Sequence, residues 1–95
     1  MSATSKTEAN NISDYLIKKQ LTAGSLITKG PSRYWWKGKI VEKEYYNISF
    51  FSLFKNKENI IEMVKKTHSD KCPIIAFFEM DGNQEFLEWI KESVV

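Results

Sequence analysis

Two alternating stretches meet at one short turn, Lys37-Gly38, and together run from Ala23 to Phe54, about a third of a 95-residue chain. Tyr46, Ile48 and Phe50 alternate with Asn47 and Ser49, the period of two of a strand with one wetter face. At the far end Phe50-Phe51-Ser52-Leu53-Phe54 is apolar on both faces, which predicts burial on both. In the other arm the pattern loosens at Lys29-Gly30-Pro31, which predicts a bend or bulge, because proline cannot donate to a ladder and glycine permits the kink. A strand pair this long outruns the helices and strands available in so short a chain to cover it. Exposed strand edges are normally paired or protected, so the hairpin by itself predicts assembly with further copies.

The remaining elements are short. Ser5-Lys6-Thr7-Glu8 has the spacing of a capping box, and Ala9, Ile12 and Leu16 follow at helical spacing, so a first helix buries one stripe. Asn56 is placed to cap a second helix with Ile60, Met63, Val64 and Thr67 on one side, ending near His68. Pro73 to Met80 is a short apolar run bounded by Asp81-Gly82 and predicts an interior strand. Asn83 is placed to cap a last helix in which Phe86, Ile90 and Val94 recur at every fourth position. The order predicts a single α+β domain over residues 1–95, a ferredoxin-like split βαβ sandwich with an additional C-terminal helix. Only Met1 to Thr4 remain for a strand before the first helix, so that strand is expected to be short or truncated.

Composition limits the function. Fourteen basic and twelve acidic residues leave a formal charge of +2, a poor electrostatic funnel for a polyanion. Tyr34-Trp35-Trp36-Lys37 and Lys39 interleave rings with cations, as single-stranded nucleic-acid sheets do, but without the RNA-binding sheet signature. No nucleic-acid or membrane partner is expected. The first residues carry no apolar leader-like run, so a cytoplasmic location is expected, and the two N-x-S sequons at Asn11 and Asn47 carry no weight. The chain shows no nucleophile elbow, phosphate-cradling glycine loop or two-histidine metal motif, which predicts a protein that is not an enzyme.

Three segments resemble the CutA family of divalent-cation tolerance proteins: Leu21-Thr22-Ala23; Ser32-Arg33-Tyr34-Trp35-Trp36-Lys37-Gly38-Lys39-Ile40, which is similar to the family's S-x-Y-x-W-x-G-K signature; and His68 to Pro73 followed by Gly82-Asn83 and Phe86-Leu87-Glu88-Trp89-Ile90. The resemblance covers essentially the whole chain. It implies a ferredoxin-like subunit in a tight homotrimer whose long strands continue each sheet into its neighbour, with Tyr34, Trp35, Trp36 and Trp89 as interface residues. High thermal and kinetic stability would follow, since unfolding is then tied to dissociation. The chain also departs from the family. Gly24 stands where the family has cysteine, Phe51-Ser52 where it has Lys-Thr, Asp70 where it has tyrosine and Ile74 where it has glutamate.

His68, Asp70 and Cys72 alternate just before a predicted strand. An extended segment would turn all three to one side, a partial site suited to Cu or another divalent metal, with water or other subunits completing it. No cofactor is required. The competing reading is a solvated helix-to-strand loop in which His68 finishes the helix. Two further readings follow from the trimer the resemblance implies: a PII-like small-molecule or nucleotide sensor, and a purely structural scaffold. Phe51 and Ile74 in place of lysine and glutamate argue against an anionic nucleotide.

Overall fold

The computed structural model describes residues 1–70 and 72–95. In chain order the elements are β1 (Ser2–Ala3), α1 (Lys6–Lys18), β2 (Gly24–Trp36), β3 (Lys39–Phe51), α2 (Lys57–Thr67) and α3 (Gln84–Ser93), with a 3₁₀ turn at Phe54–Asn56. The sheet is antiparallel in the order β1-β3-β2. This is the mixed α+β arrangement expected from the sequence.

The hairpin is regular throughout. Gly24 pairs with Phe51 at its base and Trp36 with Lys39 at its tip, with an unbroken register between. The expected bulge at Lys29-Gly30-Pro31 is therefore absent. Pro31 lies on β2, the last strand of the sheet, where a missing N–H costs no second ladder. The turn falls at Lys37-Gly38 as expected. Both residues have positive φ, 49° and 77°, which suits a two-residue turn matched to the twist of its strands. Glycine carries that geometry without strain at the second position.

Alternation along the ladder sorts the two faces. Ile27, Tyr46, Ile48 and Phe50 pack with Ala9, Ile12 and Leu16 of α1 and Ile60 and Val64 of α2 to form the core. Ser25 shares that face and bonds to Ser13 of α1. Helices cover only the base of the hairpin. The molecule measures 44 × 26 × 22 Å, with a radius of gyration of 14.1 Å, against about 12 Å for a compact chain of this length. Trp35, 72 % exposed, and its cross-strand partner Ile40 lie on the uncovered part.

β1 is short, as expected, and is the outer strand beside β3. Ser2 and Ala3 pair with Asn47 and Tyr46 on one side, and the Ser2 N–H donates to the Ile74 carbonyl at 3.1 Å on the other. Met1 adds to the ladder through its carbonyl, which accepts from the Ile48 N–H at 2.7 Å. The segment 73–80, expected to be an interior strand, is not one in the single chain. β1 offers it only two residues to pair with, so the ladder stops at Ile74. Ile75 and Phe77 still pack against the core, while Ile74, Phe78 and Met80 are exposed.

Other sequence expectations need correcting. β3 ends at Phe51, and Phe54 is 54 % exposed in the 3₁₀ turn, so the run to Phe54 is not buried on both faces. Asn56 stands at the start of α2 but makes no side-chain cap bond. Its buried amide instead donates to the Val95 carbonyl at 3.1 Å, tying the C-terminus to the turn. The Asn83 side chain likewise makes no cap bond and donates to Glu85 at 3.3 Å.

Candidate functional site

The capping box at the start of α1 forms with a shift that matters. Ser5 Oγ accepts from the Glu8 N–H at 3.1 Å, but Glu8 reaches back past Ser5 to the N–H and hydroxyl of Thr4, at 3.0 and 3.1 Å. Its second oxygen accepts from the Ser69 N–H at 3.0 Å, so one carboxylate bridges the start of α1 and the loop after α2. Burial alone would push the Glu8 carboxyl up. The Ser69 and Thr4 hydrogen bonds and the nearby His68 outweigh it and bring the pKa to about 2.

His68 completes this knot. Its side chain is fully buried, with Nε2 2.7 Å from the Ser2 carbonyl and Nδ1 3.0 Å from the Asp70 amide nitrogen. A carbonyl can only accept and an amide N–H only donate, so the proton lies on Nε2 and Nδ1 is the acceptor. Both ring nitrogens are committed to backbone groups that hold β1 and the 68–70 loop together. A metal ion could take either nitrogen only by breaking one of those bonds.

Asp70 points elsewhere. Its carboxylate accepts from the Tyr45 hydroxyl at 3.3 Å, and the Tyr45 and Tyr34 hydroxyls are 3.1 Å apart. Cys72 is an exposed free thiol. Among the described residues no group of three histidine, cysteine, aspartate or glutamate side chains is gathered to hold a metal. The His68 imidazole turns inward onto the Ser2 carbonyl while the Asp70 carboxylate meets Tyr45, so in the single chain these two side chains point in different directions.

Asp70 and Cys72 instead line a groove of about 940 Å³ with Tyr34, Trp36, Lys43 and Tyr45 of the hairpin. Residues four apart on a strand are about 13 Å apart, so the Tyr34 and Tyr45 rings, with centroids 6.1 Å apart, lean towards each other to meet. The Tyr34 hydroxyl, burial and the Asp70 charge together raise the Tyr45 phenol well above its ordinary value. Tyr45 was not singled out from the sequence. The signal was available: with the turn at Lys37-Gly38, alternation puts Tyr34, Trp36 and Tyr45 on one face and Trp35 and Ile40 on the other.

The fourth aromatic candidate, Trp89, is away from the groove. It stacks near Phe86 at 6.1 Å and approaches Phe51 at 6.5 Å, and Phe86 meets Phe51 edge-on at 5.2 Å. A Cβ on Gly24 would lie 3.0 Å from the Trp89 ring. Gly24 and Phe51 face each other across the ladder, so two departures from the family pattern are a single packing solution. Ser52, a third, donates to the Leu21 carbonyl.

A small antiparallel sheet backed by two helices, with a projecting hairpin and a third helix at its base, defines the structural class. The family model described as CutA1 divalent ion tolerance protein matches residues 1–93, and the chain belongs to that family. It is 32 % identical over 95 residues to the divalent-cation tolerance protein CutA of Archaeoglobus fulgidus, covering 99 % of this chain and 93 % of that one. The solved structure of the periplasmic divalent cation tolerance protein CutA from Archaeoglobus fulgidus superposes with a TM-score of 0.93 at 33 % identity, over 99 % of this chain and 93 % of that one. CutA1 from Pyrococcus horikoshii OT3 has the same fold, with a TM-score of 0.94 at 24 % identity over 99 % and 93 % of the two chains. The periplasmic description of the Archaeoglobus protein overturns the expected cytoplasmic location. Among the described residues no helix is long and apolar enough to cross a membrane, and that fact assigns no compartment.

The Glu8 knot gives a pH prediction. A carboxyl whose folded pKa is depressed contributes stability that is present above its ordinary 4.5 and lost as pH falls towards about 2. Denaturant unfolding should therefore show the wild type losing stability across that window, and Glu8→Gln losing distinctly less. Parallel acid limbs in the two proteins would contradict the role given to Glu8.

Proposed function

We propose that this chain acts as a homotrimeric, non-enzymatic member of the divalent-cation tolerance family. The observation that carries this reading is the hairpin. Its outer half, with Trp35 and Ile40, extends beyond the helices, and among the described residues no strand pairs with the outer side of β2. At the other margin of the sheet, segment 73–80 presents Ile74 and Phe78, 61 % and 85 % exposed. A molecule with one open edge at each margin is suited to head-to-tail contacts, and a ring is the arrangement that closes such contacts. Large apolar side chains exposed at both margins fit such contacts. Of the interface residues expected from the sequence, Trp35 shares a sheet face with Ile40, while Tyr34 and Trp36 share the opposite face.

The part played in cation tolerance belongs, in this reading, to the assembly. His68 is a structural residue, and its commitment to Ser2 and Asp70 argues against a three-ligand site preformed in one chain for copper or another divalent ion. The Cys72 thiol near the groove is exposed and open to neighbouring copies.

Sedimentation equilibrium should give a mass about three times the 11.1 kDa of the chain. A mass near that of one chain would overturn the assembly. Calorimetric titration with Cu(II) should give closely similar isotherms for wild type and Cys72→Ala. A one-per-chain site that disappears in Cys72→Ala would restore the local metal site.

A further inference from the structure

We propose that Asp81 is a site of spontaneous backbone modification, converting to isoaspartate through a cyclic imide formed with the Gly82 nitrogen. Asp81-Gly82 is the one place in the chain where an aspartate or asparagine precedes a glycine. Glycine matters because a side chain on the following residue crowds the approach of its own nitrogen to the carboxyl carbon. The structure adds what the dipeptide alone does not. The Gly82 N–H donates to Asp81 Oδ1 at 2.8 Å, so the attacking nitrogen rests against the carboxyl group it joins. Both residues are exposed and stand outside helix and ladder. Among the described residues neither makes a backbone–backbone hydrogen bond that would fix its peptide plane, and such segments are where local opening is easiest.

The chemistry closes with water alone. The Gly82 nitrogen bonds to Asp81 Cγ, its proton leaves with the carboxyl hydroxyl as water, and a five-membered imide forms. Water then adds to one of the two imide carbonyls. Breaking the bond from nitrogen to Cγ restores aspartate. Breaking the bond from nitrogen to the Asp81 backbone carbonyl carbon leaves that carbon as a free carboxylate and routes the chain through Cβ and Cγ. Mass and formal charge are unchanged, but the backbone between the two residues gains one atom. The other aspartates lack this opening: Asp14 lies within α1 and precedes tyrosine, and Asp70 precedes lysine.

The extra atom falls where there is little slack. Gly82 packs closely at the entry to α3, where a Cβ would lie 3.2 Å from the Phe86 ring and 3.9 Å from Leu87. Phe86 in turn meets Phe51 edge-on at 5.2 Å, so a lengthened backbone at residue 81 disturbs the seat of α3 on the hairpin base. Neither Asp81 nor Gly82 is among the residues given to contacts between copies. Both reacting atoms belong to adjacent residues of one chain, and no second copy takes part.

The test ages the intact folded protein for weeks in mildly acidic buffer, below its melting transition, beside the same chain held unfolded in guanidinium. Isoaspartate is counted by methyl transfer from S-adenosylmethionine with an isoaspartyl-specific methyltransferase and located by electron-transfer fragmentation. The folded protein should gain label at residue 81 in proportion to time. Asp81→Glu, whose ring would need six members, should lose that label to background. The separated isoaspartyl fraction should melt below the unaged protein. Label gained by the unfolded chain but absent from the folded one, or label that persists in Asp81→Glu, would overturn the site. An isoaspartyl fraction that melts with the unaged protein would overturn its effect on α3.

Discussion

An uninterrupted antiparallel ladder thirteen residues long on each arm governs this molecule. Because its register never slips, the alternation that turns Ile27, Ile48 and Phe50 into the core also determines what every later residue of the hairpin faces. The helices are too few to follow it to the tip. Outer-half side chains must therefore be satisfied by something other than the chain's own core, and the unpaired side of β2 has the same need. Assembly and groove are both consequences of a strand pair longer than its cover.

The base of the fold shows how a two-residue strand survives. β1 contributes two residues, yet it is gripped by β3, by Ile74 and by the His68 imidazole on the Ser2 carbonyl. Glu8 adds a bridge from Thr4 to Ser69 across the same region. The Thr4–Glu8 and His68–Ser2 bonds are partly buried, where an unmade partner is costly. They explain why the one histidine of the chain is spent on structure. The opposite end is closed by an aromatic cluster, in which a glycine on β2 makes room for the indole from α3. There Phe51 meets Phe86 edge-on and approaches the Trp89 indole, a packed aromatic contact.

Much of this was legible in the sequence. The Lys37-Gly38 turn, the stripes of the three helices and the α+β order all follow from local periodicity, which tertiary contacts reinforced. The failures are those of residues whose neighbours are distant in sequence. A one-dimensional pattern placed His68, Asp70 and Cys72 on one side, but long-range bonds to Ser2 and Tyr45 turned two of them in different directions. Pro73 to Met80 has strand composition, and only the two-residue length of its neighbour prevents a ladder. Asn56 has a cap's chemistry and position, yet the C-terminal carbonyl claims its amide. Tyr45 could have been placed beside Tyr34 by extending the alternation from the turn. That its hydroxyl meets Asp70 depends on where the 68–70 loop is tied, which no local pattern encodes.

The dependence of the hairpin on a neighbour can be read amide by amide. The Trp36–Lys39 pair flanks a two-residue turn and exchanges hydrogen bonds, so even-numbered residues of β2 bond to β3 while Ser25, Ile27, Lys29, Arg33 and Trp35 direct their N–H groups outward. Hydrogen exchange of these outward amides is the most direct test. If β2 is completed by another copy, they exchange nearly as slowly as the inward amides and speed up on dilution that dissociates the assembly. Outward amides exchanging at the rate of a free peptide at every concentration, beside protected inward ones, would contradict the account.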